Sequence, residues 1–215
     1  INKIRKRRDD YCSFLNILFA GGDDLLIVGR WDLVIEFARE VQQSFRKFIG
    51  DKDFLTLSSG MAMVTPKFPI AKAVELAGDA EDEAKKRGNA FTILGEVVSW
   101  DTEFEFVESF SKKLEAWLAD EHSGISASFI FKIYQFNRMK AAGEPHWRWL
   151  SAWYFQQAEK TNKRSEEIFK SLKTFILCGH WSFQDEPELK LAPDRALPLL
   201  TLVGKIVDLK TRKKF

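Results

Sequence analysis

Four residues, Gly21-Gly22-Asp23-Asp24, separate two apolar runs, Phe14-Leu15-Asn16-Ile17-Leu18-Phe19-Ala20 and Leu25-Leu26-Ile27-Val28. A gap this short leaves the two runs little choice but to pair as a hairpin. The first run reads as a buried strand, and Gly29 ends the second. The glycines permit positive φ and leave room for a phosphate group to approach the backbone. Two carboxylates at a hairpin tip converge on one point. They repel each other in a dry sheet, and a divalent cation removes that repulsion. The plain alternative is a polar turn with two solvated acids.

The chain has 215 residues, enough for one large domain or two small ones with a real core. A hydrophobic content of 45% and a charged content of 30% fit a globular chain and argue against disorder. No apolar run approaches the roughly 18 residues needed to span a membrane, so no membrane partner is expected. The basic run Lys3-Ile4-Arg5-Lys6-Arg7-Arg8 is not followed by the apolar core and cleavage site of a signal peptide. The chain does not start with Met, which suggests a fragment. Lys and Arg total 33 against 31 Asp and Glu, so net charge says little about partners. Both ends are basic, at residues 3–8 and at Lys205, Lys210, Arg212, Lys213 and Lys214. Such runs contact phosphates or simply stay solvated. Cys12 and Cys178 cannot make a zinc site alone, and His122, His146 and His180 lack ligand spacing. A cytoplasmic chain with reduced thiols is the expectation.

After the hairpin, residues 32–49 read as a helix with Val34, Phe37, Ala38, Val41, Phe45 and Phe48 on one face and Asp32 as N-cap. Gly50-Asp51-Lys52-Asp53 is a loop, and Leu55 to Val64 returns as a strand loosened by Ser58, Ser59 and Gly60. Pro69 suits the first turn of a helix that runs to Arg87 and stops at Gly88. Phe91–Leu94 and Val97-Val98 read as strands. From Thr102 onward nearly everything reads as helix, opened by a capping box of Thr102 and Glu105. Four further apolar stripes follow: Phe104 to Leu118, Phe129 to Asn137, Trp147 to Ala158 and Ile168 to Ile176, the last stopped by Gly179. Trp181–Pro193 reads as a long loop, and a last helix spans about Ala196–Thr211. Core packing of a helical bundle is the expected role of Trp147, Trp149 and Trp153, with stacking on bases as the other reading. The fold class is therefore α+β, residues 1–101 forming one domain and residues 102–215 an all-α helical bundle.

The second helix ends Ala77-Gly78-Asp79-Ala80-Glu81-Asp82-Glu83-Ala84-Lys85-Lys86-Arg87-Gly88-Asn89. This resembles the helix end that follows the Gly-Gly-acid-acid turn of diguanylate cyclases, where basic residues reach the substrate phosphates. By that resemblance Lys85 and Lys86 bind phosphate, and otherwise they complement a helix C-terminus. Phe19-Ala20-Gly21-Gly22-Asp23-Asp24-Leu25-Leu26-Ile27-Val28-Gly29, then Trp31-Asp32, Leu57-Ser58-Ser59-Gly60, Pro66-Lys67-Phe68-Pro69-Ile70 and Ala77-Gly78-Asp79-Ala80-Glu81, resemble more closely the second palm of the large subunit of type III-A CRISPR effector complexes. The likeness is strong over residues 14–95, and the helical tail is similar to that family's C-terminal domain down to Arg212-Lys213-Lys214.

The resemblance implies a ferredoxin-like palm that converts ATP into cyclic oligoadenylates when the complex binds target RNA. A ribose 3′-hydroxyl attacks an α-phosphate and pyrophosphate leaves. Two Mg2+ or Mn2+ ions, about 3.5–4 Å apart, assist. Asp23 and Asp24 hold the metals, Gly21 and Gly22 admit the nucleotide, and Lys85 and Lys86 bind its triphosphate. The implied partners are the other subunits of the complex, the crRNA and the target RNA.

The family's palm also has a carboxylate in an Asp-x-Asp-Asn stretch on a preceding strand, and this sequence lacks it. Asp9-Asp10 lies too close to the hairpin to be that stretch. The nuclease domain, first palm and zinc-binding region are also absent. The expectation is a chain with its first palm strand missing, which alone makes no cyclic oligoadenylate from ATP and manganese. A scaffold reading competes, in which the palm is a remnant and the helical domain docks small subunits along a crRNA–target RNA duplex. A stand-alone diguanylate cyclase ranks last, because such a chain stops soon after a position like Asn89.

Overall fold

A computed structural model describes residues 11, 13–50, 54–120, 122–161, 163–183 and 188–212. The basic run at residues 3–8, Asp9-Asp10, Cys12, the loop residues 51–53 and Lys213-Lys214 lie outside the described residues. The chain is mixed α and β and forms two compact units, Ile1–Ile93 and Leu94–Phe215.

In the first unit β1 (Leu15–Gly21) and β2 (Asp24–Gly29) form an antiparallel two-stranded sheet. The register runs from Leu15 opposite Gly29 to Gly21 opposite Asp24, with an irregularity between Ile17 and Phe19. An extra residue there bends the strand just before the turn. The hairpin pairs only with itself among the described residues, and this corrects the reading of β1 as a buried strand. Ile17, Leu18 and Phe19 are exposed, because burial needs a neighbouring strand or helix on each face.

Helix α1 (Trp31–Ile49) follows. Its N-cap is Arg30, not Asp32, which instead sits in the first turn and accepts a 2.8 Å hydrogen bond from Arg30 Nε. A carboxylate there still favours the positive end of the helix dipole. The expected strand Leu55–Val64 shrinks to β3, Ser59–Gly60. The residues read as loosening that strand are the part that pairs, in parallel with β4 (Ala90–Ile93). Helix α2 (Ile70–Arg87) supplies the reason. A Cβ on Gly60 would lie 2.5 Å from the Ala77 carbonyl oxygen and 2.6 Å from the Ala80 carbonyl carbon. Only glycine lets β3 approach the α2 backbone this closely.

The second unit opens with β5 (Glu96–Ser99) and holds helices α3 (Glu103–Ala119), α4 (Ala127–Ala141), α5 (Trp147–Thr161), α6 (Glu166–Cys178) and α7 (Ala196–Arg212). Its core runs along α7, where Leu197, Leu199, Val203 and Val207 are fully buried against α3, α4 and α6. Phe106, Phe110 and Phe175 surround Trp181 with ring centroids 5.0 to 5.9 Å away. The all-α description of this region needs amending. His180–Trp181 (β6) and Leu189–Lys190 (β7) pair antiparallel inside the stretch read as loop. Two-residue strands leave no periodic signal, so sequence pattern cannot find them.

The cap of α3 also differs from the expected Thr102–Glu105 box. Ser99 N–H donates to Glu103 Oε2 (3.0 Å), and Glu103 N–H donates to Ser99 Oγ (3.2 Å). Thr102 Oγ1 shares a 2.8 Å hydrogen bond with Ser99 Oγ and does not cap the helix with its side chain. The reciprocal logic of a capping box survives, one residue wider and starting in β5. Trp149 and Trp153 are 61% and 57% exposed, so the core-packing expectation fails for both. Helix α5 buries Ser151 and Phe155 instead.

Candidate nucleotide and metal site

The tip of the β1–β2 hairpin is a two-residue loop, Gly22-Asp23, between the paired Gly21 and Asp24. Gly22 has φ 63°, while Asp23 is not among the residues with positive φ. This sign pattern is that of a II′ hairpin, which requires glycine at its first loop position. Nothing lies within 4 Å of a Cβ built on Gly22, so the backbone is open to an approaching group. Gly21 differs, since its Cβ position lies 3.0 Å from the Phe19 ring. Asp23 and Asp24 are both exposed at the loop.

The two lysines sit in the last turn of α2, where cations favour the negative end of the helix dipole. They are not equivalent. Lys85 Nζ lies 2.8 Å from Glu81 Oε1, one turn earlier. Its pKa is held above the ordinary lysine value first by the hydrogen bond and charge of Glu81, against a desolvation cost, and then by Asp82 and Asp24. Asp24 is the smallest of these influences on Lys85. Lys86 pairs with Glu83, which raises its pKa together with Asp82, and Asp24 does not contribute. Both lysines sit in local pairs at the helix end, and of the two only Lys85 is also influenced, weakly, by Asp24.

Sequence reasoning missed Glu81 as the partner of Lys85. The four-residue spacing from Glu to Lys on a helix was the available signal. Among the described residues no three His, Cys, Asp or Glu side chains converge as a metal cluster. Mg2+ is commonly held by one or two carboxylates together with substrate phosphates and water, so an exposed Asp23–Asp24 pair fits that role without a closed protein cage. Cys178 is free and exposed, and among the described residues no helix is long and apolar enough to cross a membrane.

Residues 2–92 match the family model described as Cas10/Cmr2, second palm domain. The chain is 30% identical over 199 residues to the CRISPR system single-strand-specific deoxyribonuclease Cas10/Csm1 (subtype III-A) of Streptococcus thermophilus, covering 89% of this chain and 25% of that protein. It is 38% identical over 115 residues to the protein of the same description from Methanocaldococcus jannaschii, covering 47% of this chain and 14% of the relative. The corresponding protein of Mycobacterium tuberculosis is 37% identical over 131 residues, covering 55% of this chain and 15% of the relative. The chain thus carries a Cas10/Cmr2 second palm domain and is related to the Cas10-type large subunit of type III-A CRISPR systems. It spans no more than 25% of the length of these relatives.

Proposed function

We propose that this chain supplies the second palm and helical domains of a type III-A CRISPR large subunit that makes cyclic oligoadenylates from ATP in antiviral defence, in the cytoplasm. In this reading residues 1–101 are a ferredoxin-like palm and residues 102–215 the helical domain. The observation that carries it is the open hairpin tip, where Gly22 leaves the backbone clear and Asp23 and Asp24 are exposed, within the residues that match a second palm domain.

Asp23 and Asp24 are the residues that would hold Mg2+ or Mn2+. When bound, the metal neutralises phosphate charge and favours an ionised attacking hydroxyl. The chain's own residues do the rest. Gly21 and Gly22 keep side chains away from the tip, so a triphosphate reaches the backbone. Lys85 stays protonated across the neutral range and orients the triphosphate, and Glu81 holds its ammonium in place until phosphate takes over. Lys86, paired with Glu83 and without influence from Asp24, is the second candidate for the same task. Catalysis of this kind rests on positioning and charge neutralisation. Other subunits of the complex, crRNA and target RNA are the proposed partners.

The scaffold reading has one observation in its favour, that no third metal ligand joins Asp23 and Asp24 among the described residues. The assembled complex with Asp23→Ala and Asp24→Ala separates the two. Loss of target-RNA-dependent cyclic oligoadenylate with RNA binding intact supports the catalytic site. Unchanged product with both aspartates gone rejects it.

A further inference from the structure

Helix α5 is amphipathic in an unusual way. Its inner side buries Ser151 and Phe155 and half-buries Tyr154. Its outer side exposes Trp149, Trp153, Gln156, Gln157 and Lys160. The unit buries indoles where it can, since Trp100 and Trp181 are 3% and 1% exposed, so the 61% and 57% at Trp149 and Trp153 mark a face left open. Four residues of helix separate the two indoles by about 6 Å along the axis. Neither ring meets another ring among the described residues, and more than half of each tryptophan is open to solvent.

Charge narrows the occupant. The one acid on α5, Glu159, pairs with Lys173 of α6 across 2.6 Å. Glu144, just before the helix, pairs with His146 across 3.1 Å. Lys160 and the following Lys163 and Arg164 are exposed and form no ion pair among the described residues. No large aliphatic side chain is exposed on α5, whereas the groove for a partner helix is lined with such groups. Two stacking planes beside cations that no ion pair holds among the described residues, with Glu166 and Glu167 following them at the start of α6, are features that suit an unpaired nucleic-acid strand. Gln156 and Gln157 add donors and acceptors that suit base edges and the ribose 2′-hydroxyl.

We infer that the outer face of α5 binds single-stranded RNA, bases stacking on Trp149 and Trp153 while Lys160, Lys163 and Arg164 meet the phosphates. This extends the helical-domain side of the proposed function and does not depend on chemistry at Asp23 and Asp24.

The test is fluorescence anisotropy of a labelled 12-nucleotide oligouridine with the 215-residue chain, without ATP. Trp149→Ala with Trp153→Ala should weaken binding by about tenfold or more. Trp149→Phe with Trp153→Phe should recover most of it. Lys160→Glu with Lys163→Glu should weaken binding and flatten its salt dependence. Strands carrying 5-bromouridine should cross-link to peptides containing residues 149 and 153. Because both indoles are exposed, the alanine variant should keep the parent's urea midpoint. Asp23→Ala with Asp24→Ala should bind RNA as the parent does, so failure at the palm and failure here are separable. Undiminished binding by the alanine variant overturns the inference. So does equal or tighter binding of duplex RNA or of the deoxy strand. A change in sedimentation of the alanine variant with no change in RNA affinity would make the face a protein interface instead.

Discussion

Arg195, just before α7, ties three parts of the second unit together. Its Nε donates to Glu103 Oε1 (2.8 Å), Nη1 to Glu96 Oε1 (2.7 Å), and Nη2 to the Val97 carbonyl (2.7 Å) and Glu103 Oε2 (3.2 Å). Glu103 is 1% exposed, so its charge has no access to water. Arg195→Met keeps much of the side-chain volume and removes all four bonds. The Glu103 carboxylate then keeps the hydrogen bond from Ser99 N–H but loses its cation. Removing one partner of a buried pair costs about 3–5 kcal/mol, a large share of the roughly 5–15 kcal/mol that stabilises a domain. With a urea slope near 2 kcal/mol/M, the midpoint should fall by about 2 M. Tryptophan fluorescence is a suitable probe, because Trp100, Trp117 and Trp181 pack against phenylalanine rings in this unit. Arg195→Met with Glu103→Leu should regain most of the loss, since an apolar pair strands no charge. A single-variant cost below about 1 kcal/mol, the worth of an exposed pair, would refute the reasoning.

Gly60→Ala should destabilise the first unit by about 1–3 kcal/mol, because the new methyl meets the α2 backbone, and thermal unfolding of the variant would check it. Ser99→Ala should cost about 1 kcal/mol through loss of the α3 cap, whereas Thr102→Ala should cost a few tenths, read from urea midpoints. Burial lowers the pKa of Lys140, with Asp194, Arg195, Arg148 and Glu96 as its charged neighbours. The unfolded chain then binds the extra proton in the window between the lowered value and the ordinary 10.5, so this group's contribution to stability rises with pH there. Lys140→Met should flatten that part of the urea-midpoint profile against pH.

What the sequence disclosed is the local part of the structure. The Gly21-to-Asp24 hairpin, the helix ended at Gly88 and the α6 stripe ended at Gly179 follow from turn chemistry and helical period, and the structure has each of them. What it concealed is the part fixed by distant neighbours. Gly60 looked like a weak point of a strand until α2 lay against it. Arg195 stands 92 residues from Glu103, and no periodicity connects them. Trp149 and Trp153 fit a helical apolar pattern as well as buried residues do, and only the packing of α5 and α6 through Phe155 leaves them outside. Within the candidate site, the family resemblance marked Asp23, Asp24, Lys85 and Lys86 together. The difference between the two lysines came from which acid each one meets.

The account rests on Asp23 and Asp24 acting with Lys85 on a metal-bound nucleotide. Titration of the 215-residue chain with Mn2+, followed by electron paramagnetic resonance with and without ATP, addresses this directly. The account predicts saturable Mn2+ binding that tightens with ATP, is lost in Asp23→Ala with Asp24→Ala, and loses its ATP enhancement in Lys85→Ala but keeps most of it in Lys86→Ala. Equal Mn2+ and ATP binding by the parent chain and the double-aspartate variant would contradict it.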